Sequence, residues 1–114
     1  MGFVVEGFHD EEKVLKVVPT AHVVVTKGTR LDNRVRMDLN KALLVCDKVW
    51  LLTDPDEAGD LLARALKKEY PWLERVLLDK KECLSYRTNK VKVGVEHCSD
   101  EYLSNVLSFY LPNT

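Results

Sequence analysis

What the 114-residue sequence lacks narrows it first. No apolar stretch approaches the roughly 18 residues a helix needs to cross a bilayer, which argues against a membrane span or a membrane partner. The opening residues MGFVVEG have neither the basic flank nor the long apolar region of a secretory signal, and this predicts a cytoplasmic protein. Cysteine is scarce and odd in number: Cys46, Cys83 and Cys98 form no C-x-x-C pair. That pattern excludes a disulfide framework and a zinc knuckle, and it predicts reduced, mostly buried thiols. His9, His22 and His97 form no H-x-x-x-H pair, so spacing offers no transition-metal site. The P-loop and G-x-G-x-x-G phosphate-binding signatures are missing as well.

What remains is an ordinary globular composition, 46% hydrophobic and 31% charged, with the apolar residues gathered in dense runs. It supports one core and excludes disorder; residues 1–114 are expected to form a single domain. The net charge of −1 speaks against a nucleic-acid binder until it is mapped. Segment 27–36 sets Lys27, Arg30, Arg34 and Arg36 against Asp32, a balance of +3. Segment 79–92 sets Lys80, Lys81, Arg87, Lys90 and Lys92 against Asp79 and Glu82, again +3. The rest of the chain carries 8 basic and 15 acidic residues. The protein is basic in two places and acidic elsewhere.

Short β-branched runs alternate with helical patterns. FVVE (3–6), HVVVT (22–26), KVWLLT (48–53) and RVLL (75–78) read as strands, with a short further strand at 91–95. Between them, EEKVLKVV after an Asp10 cap, residues 34–46 and LLARALKKEY (61–70) read as helices. Pro19 and Pro71 close the first and third of these. A last helix runs from Asp100 to about Tyr110, capped by Ser99 or Asp100. Trp50 is expected in the core and Trp72 on the surface. Strand–helix alternation with such short connections predicts parallel strands and right-handed crossovers. The expected fold is therefore a three-layer α/β/α domain around a mostly parallel sheet of about four strands.

In such sheets ligands collect beyond the carboxyl ends of the strands. Glu6 stands beyond the first strand, Lys27-Gly28 beyond the second, and Asp54-Pro55-Asp56 beyond the third. Pro55 stiffens a turn that presents two carboxylates, a donor pair suited to magnesium, which keeps its other positions for water and phosphate. Glu6 could bind a second ion or move a proton. Without a cation the three carboxylates would repel one another. Lys27, Gly28 and Arg30, together with Lys80, Lys81 and Arg87, follow strands and are expected to flank this rim as an RNA track.

The stretches VVEGFHD (4–10) and LLTDPDEAG (51–59), with Gly28 after the second strand, resemble the Toprim domain. That domain is the metal-dependent nucleic-acid module of topoisomerases, primases and certain nucleases. The pattern is similar to the ribonuclease M-five branch, which matures the ends of 5S ribosomal RNA. Gly94-Val95-Glu96-His97-Cys98-Ser99 stands where that branch carries a late G-V-E-H-A-S segment. The resemblance implies Glu6 as general acid/base or metal ligand, and Asp54 and Asp56 as holders of Mg2+, with Mn2+ as a substitute. Asp10, Gly59, Glu96 and His97 are accessory positions, for which capping and turn roles stay open beside functional ones. It further implies that the branch's carboxy-terminal RNA-binding region has no counterpart in these residues.

Two other carboxylate-rim folds are rejected by residue. A haloacid-dehalogenase-type phosphatase usually has Thr two places after the second Asp, where Ala58 stands. A receiver domain needs an acidic pair after the first strand, where Glu6-Gly7 stands. The reading is a magnesium-dependent endoribonuclease acting on structured RNA, in particular a ribosomal RNA precursor, with a homodimer as a way to double the basic surface. Its alternative is a non-catalytic nucleic-acid-binding module within a larger assembly.

Overall fold

A computed structural model describes residues 1–86 and 89–111. Four parallel strands form its central sheet in the order β2-β1-β3-β4: β1 (Gly2–Val5), β2 (His22–Val25), β3 (Val49–Leu51) and β4 (Glu74–Arg75). β1 pairs with β2 from Gly2–His22 to Val5–Val25, and with β3 from Gly2–Val49 to Val4–Leu51. Burial on both faces explains why β1 and β3 read as unbroken apolar runs.

Successive side chains point to opposite faces, so the runs feed two cores. Phe3, Val5, Trp50 and Leu52 pack with Val14 of α1 (Phe8–Val17) and with Leu103 and Leu107 of α4 (Asp100–Leu107). Val4, Val24 and Leu51 pack with Leu39 and Ala42 of α2 (Asn33–Val45) and with Leu62, Ala63 and Leu66 of α3 (Glu57–Glu69). The expected three layers are present, with four helices around the sheet. Trp50 is buried and Trp72 exposed, as the sequence predicts.

Several boundaries differ from the sequence reading. Asp10 is not the cap of α1; Gly7 holds that position, and its N–H donates to Asp10 Oδ2 at 3.0 Å from three residues on. α3 begins at Glu57 rather than Leu61, because the Asp56 carboxylate accepts from the Gly59 N–H at 2.7 Å and caps the helix early. The RVLL strand shifts to β4, which starts one residue earlier and ends at Arg75, although the Val76 N–H still donates to the Leu51 carbonyl. The Leu77 N–H donates to the Tyr110 hydroxyl and the Asp79 N–H to the Tyr102 hydroxyl. The strand expected at 91–95 contracts to β6 (Lys92–Val93), antiparallel to β5 (Leu84–Ser85). Ser99 is the cap of α4, its hydroxyl accepting from the Tyr102 N–H.

The strand order positions the site. From β1 the chain crosses to one side to form β2, then to the other to form β3. The crevice at the carboxyl ends of β1 and β3 is thus the topological switch point, where ligands bind in open α/β sheets.

Candidate active site

Glu6 leaves β1 and Asp54 follows β3, so adjacent strands deliver them to the same crevice. The Asp54 N–H donates to Glu6 Oε2 at 2.6 Å, locking the two strand ends together. Asp54 Oδ1 accepts from the Val95 N–H at 2.9 Å, which brings in the 3₁₀ turn Val95–His97. Asp10, one turn into α1, accepts from Gly7 with one oxygen and from the Glu96 N–H with the other, the latter at 2.9 Å. Backbone donors therefore orient Glu6, Asp54 and Asp56 through one oxygen each and engage Asp10 through both. Five carboxylates, those of Glu6, Asp10, Asp54, Asp56 and Glu96, act on one another here.

Their titration reflects that crowding. Burial pushes Glu6 up to about 7, aided by the charges of Asp54 and Asp56 and opposed by the Asp54 N–H. Burial likewise pushes Asp10 up to about 6, with the Asp54 charge adding to it. Asp54 is also raised, by burial first; the Val95 N–H and a hydrogen bond from the Glu6 carboxyl pull it back. Both members of the pair thus hold a proton more readily than an ordinary carboxyl.

Gly59 explains why the turn after β3 needs its glycine. A Cβ there would lie 1.9 Å from the Asp54 carbonyl oxygen. Only glycine lets α3 start so close beneath the metal-binding turn expected at 54–56.

Arg75, which sequence reasoning missed, belongs to this neighbourhood. From the end of β4 its guanidinium donates to the Asp54 carbonyl at 2.9 Å and pairs with Asp60 at 2.6 Å. The sequence reading puts Arg75 at the start of the fourth strand, where it would not reach the rim, whereas the structure puts it at the end. The Thr53 hydroxyl, one residue before Asp54, is buried without a hydrogen-bond partner among the described residues.

The basic residues divide. Arg34 donates to the carbonyls of Val25 and Thr26 and pairs with Asp38, and Arg36 makes a two-pronged contact with Glu69. Those two cations already have partners within the fold. Lys27 and Arg30 remain exposed beyond β2, and the Gly28 N–H donates to the Glu6 carbonyl at 2.9 Å. Lys80 and Lys81 lie exposed in a 3₁₀ turn beyond β4, while Arg87 lies outside the described residues. β2 and β4 are the outer strands, so Lys27 and Lys80 follow strands on opposite edges of the sheet. His97 sits against Glu96 at 3.2 Å, and both line a polar cleft of about 300 Å³ with His9, Glu12, Lys13 and Lys16.

Among the described residues no three His, Cys, Asp or Glu side chains form a ready-made metal cage. The chemistry of the rim nevertheless fits a divalent cation. The Glu6 and Asp54 carboxyls meet with raised proton affinity, and the strongest neighbouring charges on them are negative. Magnesium needs only one or two such protein ligands.

Comparison with known proteins agrees with this geometry. The family model of the Toprim domain matches residues 2–83. Ribonuclease M5 of Bacillus anthracis is 31% identical over 104 residues, covering 91% of this chain and 54% of that protein. Ribonuclease M5 of Bacillus subtilis is 32% identical over 98 residues, covering 86% and 50%. The chain thus spans about half the length of the curated relatives it matches. Among solved structures, a small TOPRIM domain protein from Bacillus stearothermophilus superposes with a TM-score of 0.71 at 25% identity, over 96% of this chain and 86% of that one.

Proposed function

The chain belongs to the Toprim domain family, and from that premise we propose that it is a divalent-metal-dependent endoribonuclease cutting structured RNA in the cytoplasm, with ribosomal RNA precursors as substrate. The observation that supports this most directly is the Glu6 carboxyl, raised to about 7 and hydrogen-bonded to Asp54 in the switch-point crevice. A group so poised exchanges a proton near neutral pH, as acid/base work at a phosphodiester requires.

Asp54 and Asp56 would hold magnesium, or manganese in its place, through the oxygens not engaged by the Val95 and Gly59 N–H groups. When bound, the ion supplies Lewis-acid stabilisation of the charge that develops on the phosphate oxygens. Arg75 fixes the Asp54 backbone, and the Val95 N–H fixes its carboxylate, so the ligand set is oriented before substrate arrives. Lys27, Arg30, Lys80, Lys81 and Arg87 would carry the phosphate contacts, giving an affinity that falls with salt.

A second reading, a non-catalytic nucleic-acid-binding module in a larger assembly or a homodimer, draws on the backbone donors that the rim carboxylates already have. Incubation with ribosomal RNA precursors, with and without magnesium, separates the two by mapping the cut ends. Discrete magnesium-dependent cuts support the nuclease. Binding without cleavage on every precursor favours the module.

A further inference from the structure

Phe8 is the second residue after Glu6 and the first of α1, yet 56% of its surface is exposed. A lone exposed aromatic would need no explanation. This one has a cation parked on it: the Lys27 ammonium lies 5.5 Å from the ring centroid. Lys27 is also the one non-glycine residue with positive φ among the described residues, at 62°. A lysine in that left-handed conformation is strained, and such strain persists where surrounding contacts enforce it. Here they do. The next residue, Gly28 (φ 115°), donates its N–H to the Glu6 carbonyl and accepts at its own carbonyl from the Thr26 hydroxyl. The loop that presents Lys27 is thereby tied to the strand end that presents Glu6.

We propose that Phe8 and Lys27 form a nucleotide subsite beside the carboxylates, in which the base of an unpaired nucleotide stacks on Phe8 and Lys27 meets the adjoining phosphate. This rests on the nuclease reading and deepens it, since it selects single-stranded or unpaired nucleotides at the scissile position over continuous duplex. An aromatic face accepts any base, and stacking of one base changes affinity by roughly 5- to 150-fold. The lysine shifts from the ring face to the phosphate when a base takes its place, so the ring stays covered in both states.

The test measures affinity by fluorescence anisotropy in EDTA, using a short single-stranded RNA and a blunt duplex of the same sequence. Phe8→Ala and Phe8→Leu weaken the single strand by about tenfold, whereas Phe8→Trp keeps it and the duplex is unaffected by all three. A 2-aminopurine in the single strand is quenched by wild type and not by Phe8→Ala. Lys27→Gly, which relieves the backbone strain, raises the melting temperature while lowering affinity for the single strand. Equal affinity of Phe8→Ala and wild type, or equal losses on single strand and duplex, overturns the subsite. Magnesium-dependent cleavage by wild type alongside such a result leaves the nuclease reading standing. Phe8-dependent binding with no cleavage on any precursor removes the nuclease and keeps the subsite, and a wild type that neither binds nor cuts removes both.

Discussion

Two groups of carboxylates in this molecule have opposite fates. On the faces of the sheet, Glu69 of α3 meets Arg36 of α2 through two contacts of 2.9 Å, and Asp100 of α4 meets Lys13 of α1 at 2.6 Å. The Arg36 guanidinium holds Glu69 below the ordinary carboxylate range, and Lys13 does the same for Asp100. At the rim, burial and like charges hold Glu6, Asp10 and Asp54 above it. The first group clamps neighbouring helices together. The second stores repulsion at the mouth of the sheet, which a folded chain tolerates only because backbone N–H groups pin each carboxylate in place. Acidic residues that oppose folding and converge at a switch point are a mark of a site made for a cation.

The comparison breaks most visibly in catalysis. Asp54→Asn and Asp56→Asn are expected to reduce single-turnover cleavage in magnesium by at least a hundredfold, because electrostatic stabilisation at such centres is worth about 3 kcal/mol or more. Glu6→Gln should cripple the same step. RNA affinity through the basic segments is expected to persist in all three variants. Full activity of the two Asp variants removes metal-assisted chemistry from this rim.

Gly59→Ala probes the scaffold under the site. Its Cβ would meet the Asp54 carbonyl oxygen at 1.9 Å, and backbone cannot rotate away as a side chain would. Separation of the turn from α3 is expected to cost about 2–4 kcal/mol by chemical denaturation, at the upper end for overpacking. A variant as stable as wild type shows that α3 can slide without penalty.

Much of this architecture was legible because it rests on local patterns. FVVE, HVVVT and KVWLLT are buried strands whose apolar continuity itself signals a sheet covered on both faces, and their alternation with helices fixes the crevice between Glu6 and Asp54. The misread features depend on distant partners. Beyond the fourth strand, the N–H groups of Leu77 and Asp79 donate to tyrosine hydroxyls 33 and 23 residues away. Asp10 looks like a cap in isolation, but its second oxygen is bound to the Glu96 N–H, 86 residues on. Arg36 counts as surface charge in a sequence and pairs in the fold with Glu69, 33 residues on. Contacts of that kind carry no short-range signature.

The two groups should also respond to pH in opposite directions. Glu6 rises from an ordinary 4.5 to about 7, and Asp10 from 3.8 to about 6. The folded state therefore binds more protons than the unfolded one across that interval. Their contribution is fully present below about pH 4 and is lost as pH rises through about 6 to 7. Glu69 and Asp100, lowered in the folded state, contribute above their unfolded values and lose it as pH falls. Metal-free protein is thus expected to lose on the order of 1 kcal/mol between pH 5 and 7.5, a figure discounted because the rim is partly solvated. If the rim binds magnesium, the ion is expected to flatten that slope by stabilising the ionised carboxylates. Denaturant titrations at the two pH values, with EDTA and with magnesium, read the difference directly, and a rising stability over this window contradicts the assignment.

The smallest effects carry the sharpest contrast, because they differ in sign. Asp54→Asn in EDTA removes one charge from a crowded set while leaving an oxygen that can still accept from the Val95 N–H. The expected result is a melting temperature higher than wild type by a few degrees, since relief of repulsion outweighs the change in one hydrogen bond. Arg36→Ala removes a partner from Glu69 at an exposed interface, where such pairs contribute little, and is expected to lower the melting temperature by only about a degree or two. Adding magnesium should raise wild type toward or past Asp54→Asn and leave Arg36→Ala at its fixed offset below wild type. If both substitutions lower stability, the rim is an ordinary hydrogen-bonded cap network, and the raised proton affinity of Glu6 has no cation to answer it.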